Sequence, residues 1–103
     1  MYELELTGQF KKDVKSCQKG SYDMSLLATA LDILKNTGTL PVVPYKTHKL
    51  TGQKNDVWDA HIKPDWILLF GIQKNDNPEF EGTVKLIRTG THAKLFGNSK
   101  IGK

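Results

Sequence analysis

The carboxy-terminal half sets the strongest limit on the fold: three strand-like runs, Val57 to Ile62, Trp66 to Ile72 and Thr83 to Arg88, are separated by short polar connections. Pro64-Asp65 supplies the first turn, and Asn75-Asp76-Asn77-Pro78 marks a longer second one. Strands joined this closely form an antiparallel meander, because a parallel neighbour needs a crossover of a dozen or more residues. A sheet of this kind must bury one face, and the rest of the chain has to supply the cover.

The amino-terminal half has the pattern for that cover. Tyr2, Leu4 and Leu6 alternate with Glu3 and Glu5, which predicts a short half-buried strand. From about Gln9 to Lys19, Phe10, Val14 and Cys17 recur at helical spacing, while Lys11, Lys12, Lys15 and Lys19 make a basic, polar remainder. Gly20 can end this helix, and Ser21 or Asp23 can cap a second one running from about Met24 to Lys35. Leu27, Leu31 and Leu34 form its apolar stripe, widened by Leu26 and Ala30, and Asn36-Thr37-Gly38 stops it. Pro41, Pro44 and Gly52 make Thr39 to Lys54 an ordered loop carrying Tyr45, Lys46 and His48. The expected fold is α+β, in the order strand-helix-helix-three strands. Its antiparallel sheet takes the first strand at an edge and the helical hairpin on one face.

Length and composition narrow the rest. A chain of 103 residues with 38% apolar content is expected to be one domain around one core. Charge at Glu3 and Glu5 interrupts any secretory apolar segment, and the longest apolar run, Trp66 to Phe70, falls far short of the roughly 20 residues that span a bilayer. A cytoplasmic protein without a membrane partner is expected. The lone Cys17 fits a reducing compartment and excludes an intrachain disulfide or a paired-cysteine zinc site. A net charge of +4 and a pI near 9.2 point to an anionic partner. Of the 15 basic residues only Arg88 is arginine, four positions before His92 in Arg88-Thr89-Gly90-Thr91-His92. Its planar fork suits phosphate where lysine offers only a point charge.

All three histidines, His48, His61 and His92, fall in the loop and sheet portion with Asp59, Asp65, Trp66, Arg88 and Phe96. Strand alternation puts Val57, Asp59 and His61 on one face and Trp58, Ala60 and Ile62 on the other. If the helices cover the Trp58 side, Asp59 and His61 face an open concavity. Taken singly, each is also what an ordinary solvent face carries. Metal-free cleavage of RNA needs a base for the ribose 2′-hydroxyl, an acid for the leaving 5′-oxygen, and positive charge against the phosphorane. Two imidazoles and an arginine meet those needs. Trp66 and Phe96 can stack an unpaired base, and either ring can equally fill the core. No two histidines have helical or close ligand spacing, so neither a zinc site nor any other cofactor is expected.

The pieces YKTHKLTG, WDAHIKPDWILLF and RTGTHAKLFG, from Tyr45 to Gly97, resemble the YafQ branch of the RelE-type toxins of bacterial toxin–antitoxin pairs. The order of elements resembles that family across essentially the whole chain. The resemblance implies a small ribonuclease that enters the ribosomal A site, contacts rRNA and cuts mRNA during translation. It also implies a cognate antitoxin, here expected to be acidic, that wraps the toxin, with operator DNA bound only by the pair. Residue by residue, it implies cleavage roles for His48, His61 and Asp65, a phosphate contact for Arg88, and acid or base chemistry for His92. It further implies substrate contacts by Phe96, Trp66 and Lys46. Acid and base stay unassigned among His48, His61 and His92. Two features depart from the pattern: the turn from Lys74 to Gly82 is longer and more acidic, and Asn98 to Lys103 adds two lysines as a disordered tail or an extra phosphate contact.

Two further readings share this fold or charge. A ParE-type toxin would bind and poison DNA gyrase without cutting RNA, and would not need the set His48, His61, Arg88 and His92. A non-catalytic RNA-binding module would bind in a salt-sensitive way with no turnover.

Overall fold

Thr7 turns strand into helix in a single residue: in the computed structural model, which describes residues 1–50 and 56–97, it follows strand β1 (Tyr2–Leu6) and caps helix α1 (Gly8–Lys19). Its hydroxyl accepts from the Phe10 backbone N–H at 2.9 Å, satisfying one of the helix's open donors. Phe10, Asp13 and Cys17 are buried along α1, with Val14 partly so, while Lys11, Lys12, Lys15 and Lys19 stay exposed. Asp23 caps α2 (Met24–Thr37) through the Ser25 N–H at 3.0 Å. Gly38 closes that helix with a φ of +79°, donating to the Leu34 carbonyl at 2.8 Å.

The sheet has the order β1-β5-β4-β3-β2. Strands β3 (Trp58–Lys63), β4 (Trp66–Gln73) and β5 (Gly82–Gly90) form the expected antiparallel meander, and β1 lies at an edge. The sheet is nevertheless mixed, because β1 runs parallel to β5, from Tyr2 opposite Gly82 to Leu6 opposite Leu86. Parallel neighbours need a long connection, and here the helices and the other strands lie between them. The stretch expected as loop holds a tight turn, α3 (Val42–Tyr45), in which Val43 is extended and not helical, and a two-residue strand, β2 (His48–Lys49). Two residues are too few for periodicity to register, and β2 exists because β3 offers it an edge. A last short helix, α4 (His92–Phe96), follows β5. The proposed tail at 98–103 and the end of the expected loop, with Gly52, lie outside the described residues.

One sheet face makes the core. Ala60, Trp66, Leu68, Phe70, Val84 and Leu86 pack against Phe10, Cys17, Leu27, Ala30 and Leu34 from the helical hairpin. Burial of this apolar surface supplies the main driving force, at about 25 cal/mol per Å². A bulge in β5 decides which face Arg88 occupies. Leu69 lies opposite Arg88 but Phe70 lies opposite Leu86, so Ile87 is an extra residue in β5. Strict alternation would place Arg88 beside Val84 and Leu86 in the core; the extra residue turns it to the opposite face and brings Thr89 inward, fully buried.

Candidate active site

The opposite face of the sheet carries the polar set. Register places His48 against Asp59, Asp59 against Leu69, and Leu69 against Arg88, one row across four strands. His61 lies opposite Ile67, which lies opposite Gly90, the residue that ends β5 just before His92. The row and its neighbour therefore bring residues from distant parts of the chain onto one surface.

His61 and His92 are the centre of it, with ring centroids 5.5 Å apart. His92 begins α4, capped by Thr91, whose hydroxyl accepts from Lys94 N at 3.1 Å. Asp65, in the turn between β3 and β4, accepts from His92 twice: from ring Nδ1 at 2.7 Å and from backbone N at 3.1 Å, both at Oδ1. The His92 ring bond and then the backbone bond hold the Asp65 carboxyl below its usual range. His61 Nδ1 lies 3.3 Å from the Pro64 carbonyl, and His48 Nδ1 lies 3.2 Å from the Lys46 carbonyl. An oxygen of this kind only accepts, so Nδ1 is the donor in all three contacts, and Nε2 is the nitrogen left open in His48 and His92. His61 Nε2 faces Asp59 Oδ1 at 3.3 Å without the alignment of a hydrogen bond. Asp59 is only 4% exposed, so the open position expected for it is instead a buried one beneath His61.

The remaining predicted residues divide. Phe96 is exposed, with its ring 6.2 Å from that of His92. Lys46 caps α3 with a φ of +51° and shares a hollow of about 120 Å³ with His61 and Pro64. His48 is exposed on the edge strand. Trp66, expected near the substrate, is 3% exposed: its ring meets Tyr22 edge-on at 4.8 Å and its Nε1 donates to Thr89 Oγ1 at 3.0 Å. An indole held this way offers no stacking face to a base, and it belongs to the core. Arg88 is not a free cation. Its Nε donates to Asp13 Oδ2 and its Nη2 to Asp13 Oδ1, each at 3.0 Å. That pairing raises the Arg88 pKa further. Burial pushes the Asp13 carboxyl up, but bonds from Arg88, Gln9 and Thr89 outweigh it and leave the pKa below the usual value.

Asp13 is the residue that sequence reasoning missed. Its signal was present, since a charge stands between Phe10 and Val14 on the apolar stripe of the first helix. Among the described residues, no three His, Cys, Asp or Glu side chains are grouped to hold a metal ion, and no helix is long and apolar enough to cross a membrane.

Known proteins resemble this chain over most of its length. Residues 2–97 match the family described as bacterial toxin of type II toxin–antitoxin system, YafQ. The mRNA interferase toxin YafQ of Escherichia coli K12 is 42% identical over 96 residues, covering 92% of this chain and 96% of that protein. The crystal structure of the E. coli DinJ–YafQ complex contains a chain that superposes with a TM-score of 0.74 at 42% identity, covering 94% of this chain and all of that one. A metal-bound toxin from Helicobacter pylori superposes with a TM-score of 0.79 at 33% identity, over 93% of this chain and 100% of its own.

Proposed function

The chain belongs to the YafQ family of toxins of bacterial type II toxin–antitoxin systems, and from that premise we propose that it is an mRNA interferase that cuts messenger RNA on the ribosome. The observation that carries this reading is the His61–His92 pair, 5.5 Å between ring centres, each Nδ1 committed to an oxygen, with His61 Nε2 beside the buried Asp59.

One imidazole takes the proton of a ribose 2′-hydroxyl as that oxygen attacks the adjacent phosphorus. Another gives a proton to the departing 5′-oxygen. The new bond is O2′–P and the broken one is P–O5′, so the products are a 2′,3′-cyclic phosphate and a 5′-hydroxyl. His61 and His92 share these two roles, His48 stands at the edge of the same surface, and Asp65 fixes the tautomer and angle of His92. Arg88 supplies positive charge to the phosphorane oxygens through the N–H groups that Asp13 does not use. Phe96 beside His92 stacks on a base at the cut, and Lys46 contacts the backbone.

The exposed lysines of α1, Lys11, Lys12, Lys15 and Lys19, suit rRNA phosphate. Translating ribosomes put this activity in the cytoplasm. A relative is held by its antitoxin DinJ. The corresponding partner here is a cognate antitoxin with an acidic segment over the basic site, and the pair, not the toxin alone, binds operator DNA. The test is primer extension on a translated messenger with ribosomes present or absent, comparing wild type with His92→Ala. Cuts that need both ribosomes and His92 support the reading; cuts that persist in His92→Ala overturn the role of His92, and no cuts under either condition overturn the reading.

A further inference from the structure

We propose that Asp13, a helix residue outside the histidine cluster, is the positioning residue for Arg88, holding the guanidinium so that its remaining donors face the scissile phosphate. The proposal rests on the reading of Arg88 as the phosphate contact. Asp13 is 1% exposed and lies 75 positions from Arg88, so its place beside the site comes entirely from the packing of α1 on β5.

Both carboxylate oxygens of Asp13 are fully used. Oδ2 accepts from Arg88 Nε at 3.0 Å and from Thr89 N at 3.2 Å; Oδ1 accepts from Arg88 Nη2 and Gln9 Nε2, both at 3.0 Å. The backbone bond explains why the carboxylate is there. Strand β1 stops pairing at Leu6 opposite Leu86, so past that point the edge of β5 has no strand neighbour among the described residues, and Asp13 takes the open N–H of Thr89. Once anchored there, the carboxylate meets the side chain of the adjacent Arg88 in fork geometry.

The consequence for the reaction lies in the donor count. A guanidinium has five N–H groups in one plane. Asp13 takes one from Nε and one from Nη2, leaving three, and the side chain keeps 28% of its surface open. A free arginine would sample many rotamers and would attract RNA from a distance by its full charge. A clasped one is fixed in direction, and its long-range field is offset by the buried carboxylate. Such a group contributes little to encounter and most where charge develops at the phosphorus, so its effect belongs in kcat and not in KM.

The substitution that separates these terms is Asp13→Asn, which keeps the size of the side chain and an acceptor for Thr89 while turning an amide donor toward the fork. It also raises the net charge by one. We expect ribosome-dependent cleavage to lose about 10- to 100-fold in kcat, with KM unchanged or lower because the added positive charge aids binding. Arg88→Lys should show a similar loss, and Arg88→Lys in the Asp13→Asn background should add little to it. If Asp13→Asn keeps wild-type kcat while Arg88→Lys is impaired, the proposal is overturned and the phosphate reading stands. If Arg88→Lys itself cleaves normally, the phosphate reading falls and takes the proposal with it. A measurement on the wild-type protein serves where the variant does not fold. Arg88 is the single arginine, so the chain gives one arginine Nε–Hε resonance. Slow solvent exchange of that proton at neutral pH supports the clasp, and exchange as fast as in free arginine overturns it.

Discussion

His92 and Asp65, 27 positions apart, are joined twice by the same oxygen: Asp65 Oδ1 accepts from the ring Nδ1 at 2.7 Å and from the backbone N–H at 3.1 Å. One carboxylate thus fixes both the start of α4 and the angle of the ring it presents. Asp65→Asn keeps the shape but can present its amide nitrogen where the oxygen stood, which sets two donors against each other. Cleavage should fall by about 10-fold or more, though less than the roughly 10²- to 10⁴-fold expected for His92→Ala, which removes the acid–base group itself. Single-turnover cleavage rates on programmed ribosomes give the comparison. An Asp65→Asn protein as fast as wild type would remove Asp65 from the site.

The Asp13–Arg88 pair also has a stability role that can be separated by pH. Asp13 is buried, and Asp13→Ala leaves a half-buried guanidinium and the Thr89 N–H without their acceptor. Loss of one partner from a buried pair costs about 3–5 kcal/mol. Because the folded pKa of Asp13 is lowered below the ordinary aspartate value of 3.8, its contribution is fully present above that unfolded value and is lost as pH falls through the folded one. Urea unfolding should therefore show a stability difference between wild type and Asp13→Asn that is constant from pH 7 to about pH 5 and shrinks below about pH 4. A difference that does not change on acidification would mean that the charge of Asp13 does not stabilise the fold.

Gly38 gives a prediction independent of the site. Its φ of +79° closes α2, and a Cβ built there would stand 2.5 Å from the Tyr2 ring. Gly38→Ala must pay for the left-handed backbone, about 1–2 kcal/mol, and must also displace Tyr2 from β1. Thermal melting should register a loss of at least that size. A Gly38→Ala variant as stable as wild type would contradict the close approach of Tyr2 to this helix end.

The elements long enough to show a period were legible in the sequence. Phe10, Val14 and Cys17 marked the first helix, Leu27 and Leu34 the second, and the alternation through Trp58, Asp59, Ala60 and His61 correctly put the carboxylate and imidazole on one face. Three things were not legible. The parallel pairing of β1 with β5 depends on how the whole chain returns, not on any local pattern. The strand holding His48 is two residues long and is defined by its partner. The bulge at Ile87 reverses the phase of β5, so alternation counted from Thr83 assigns Arg88 to the wrong face. The charge of Asp13 on the apolar stripe of the first helix was visible, but its purpose becomes apparent only once Arg88 and Thr89 are placed beside it.

Trp66 distinguishes a core role from a substrate role most directly. Its Nε1 donates to Thr89 Oγ1, and that hydroxyl donates in turn to the Ile67 carbonyl at 2.8 Å, a chain of bonds wholly inside the protein. Thr89 is also the residue whose N–H reaches Asp13. Trp66→Phe removes one buried hydrogen bond, worth about 0.5–1.5 kcal/mol, and leaves unfilled volume where the larger ring stood. The melting temperature should drop, while cleavage per folded molecule, measured well below that temperature, should stay close to wild type. An aromatic stacked on a base would behave in the opposite way: Trp66→Phe would preserve stability and raise KM for the messenger. With the ring 3% exposed and its one polar atom satisfied internally, the first pattern is the expected one.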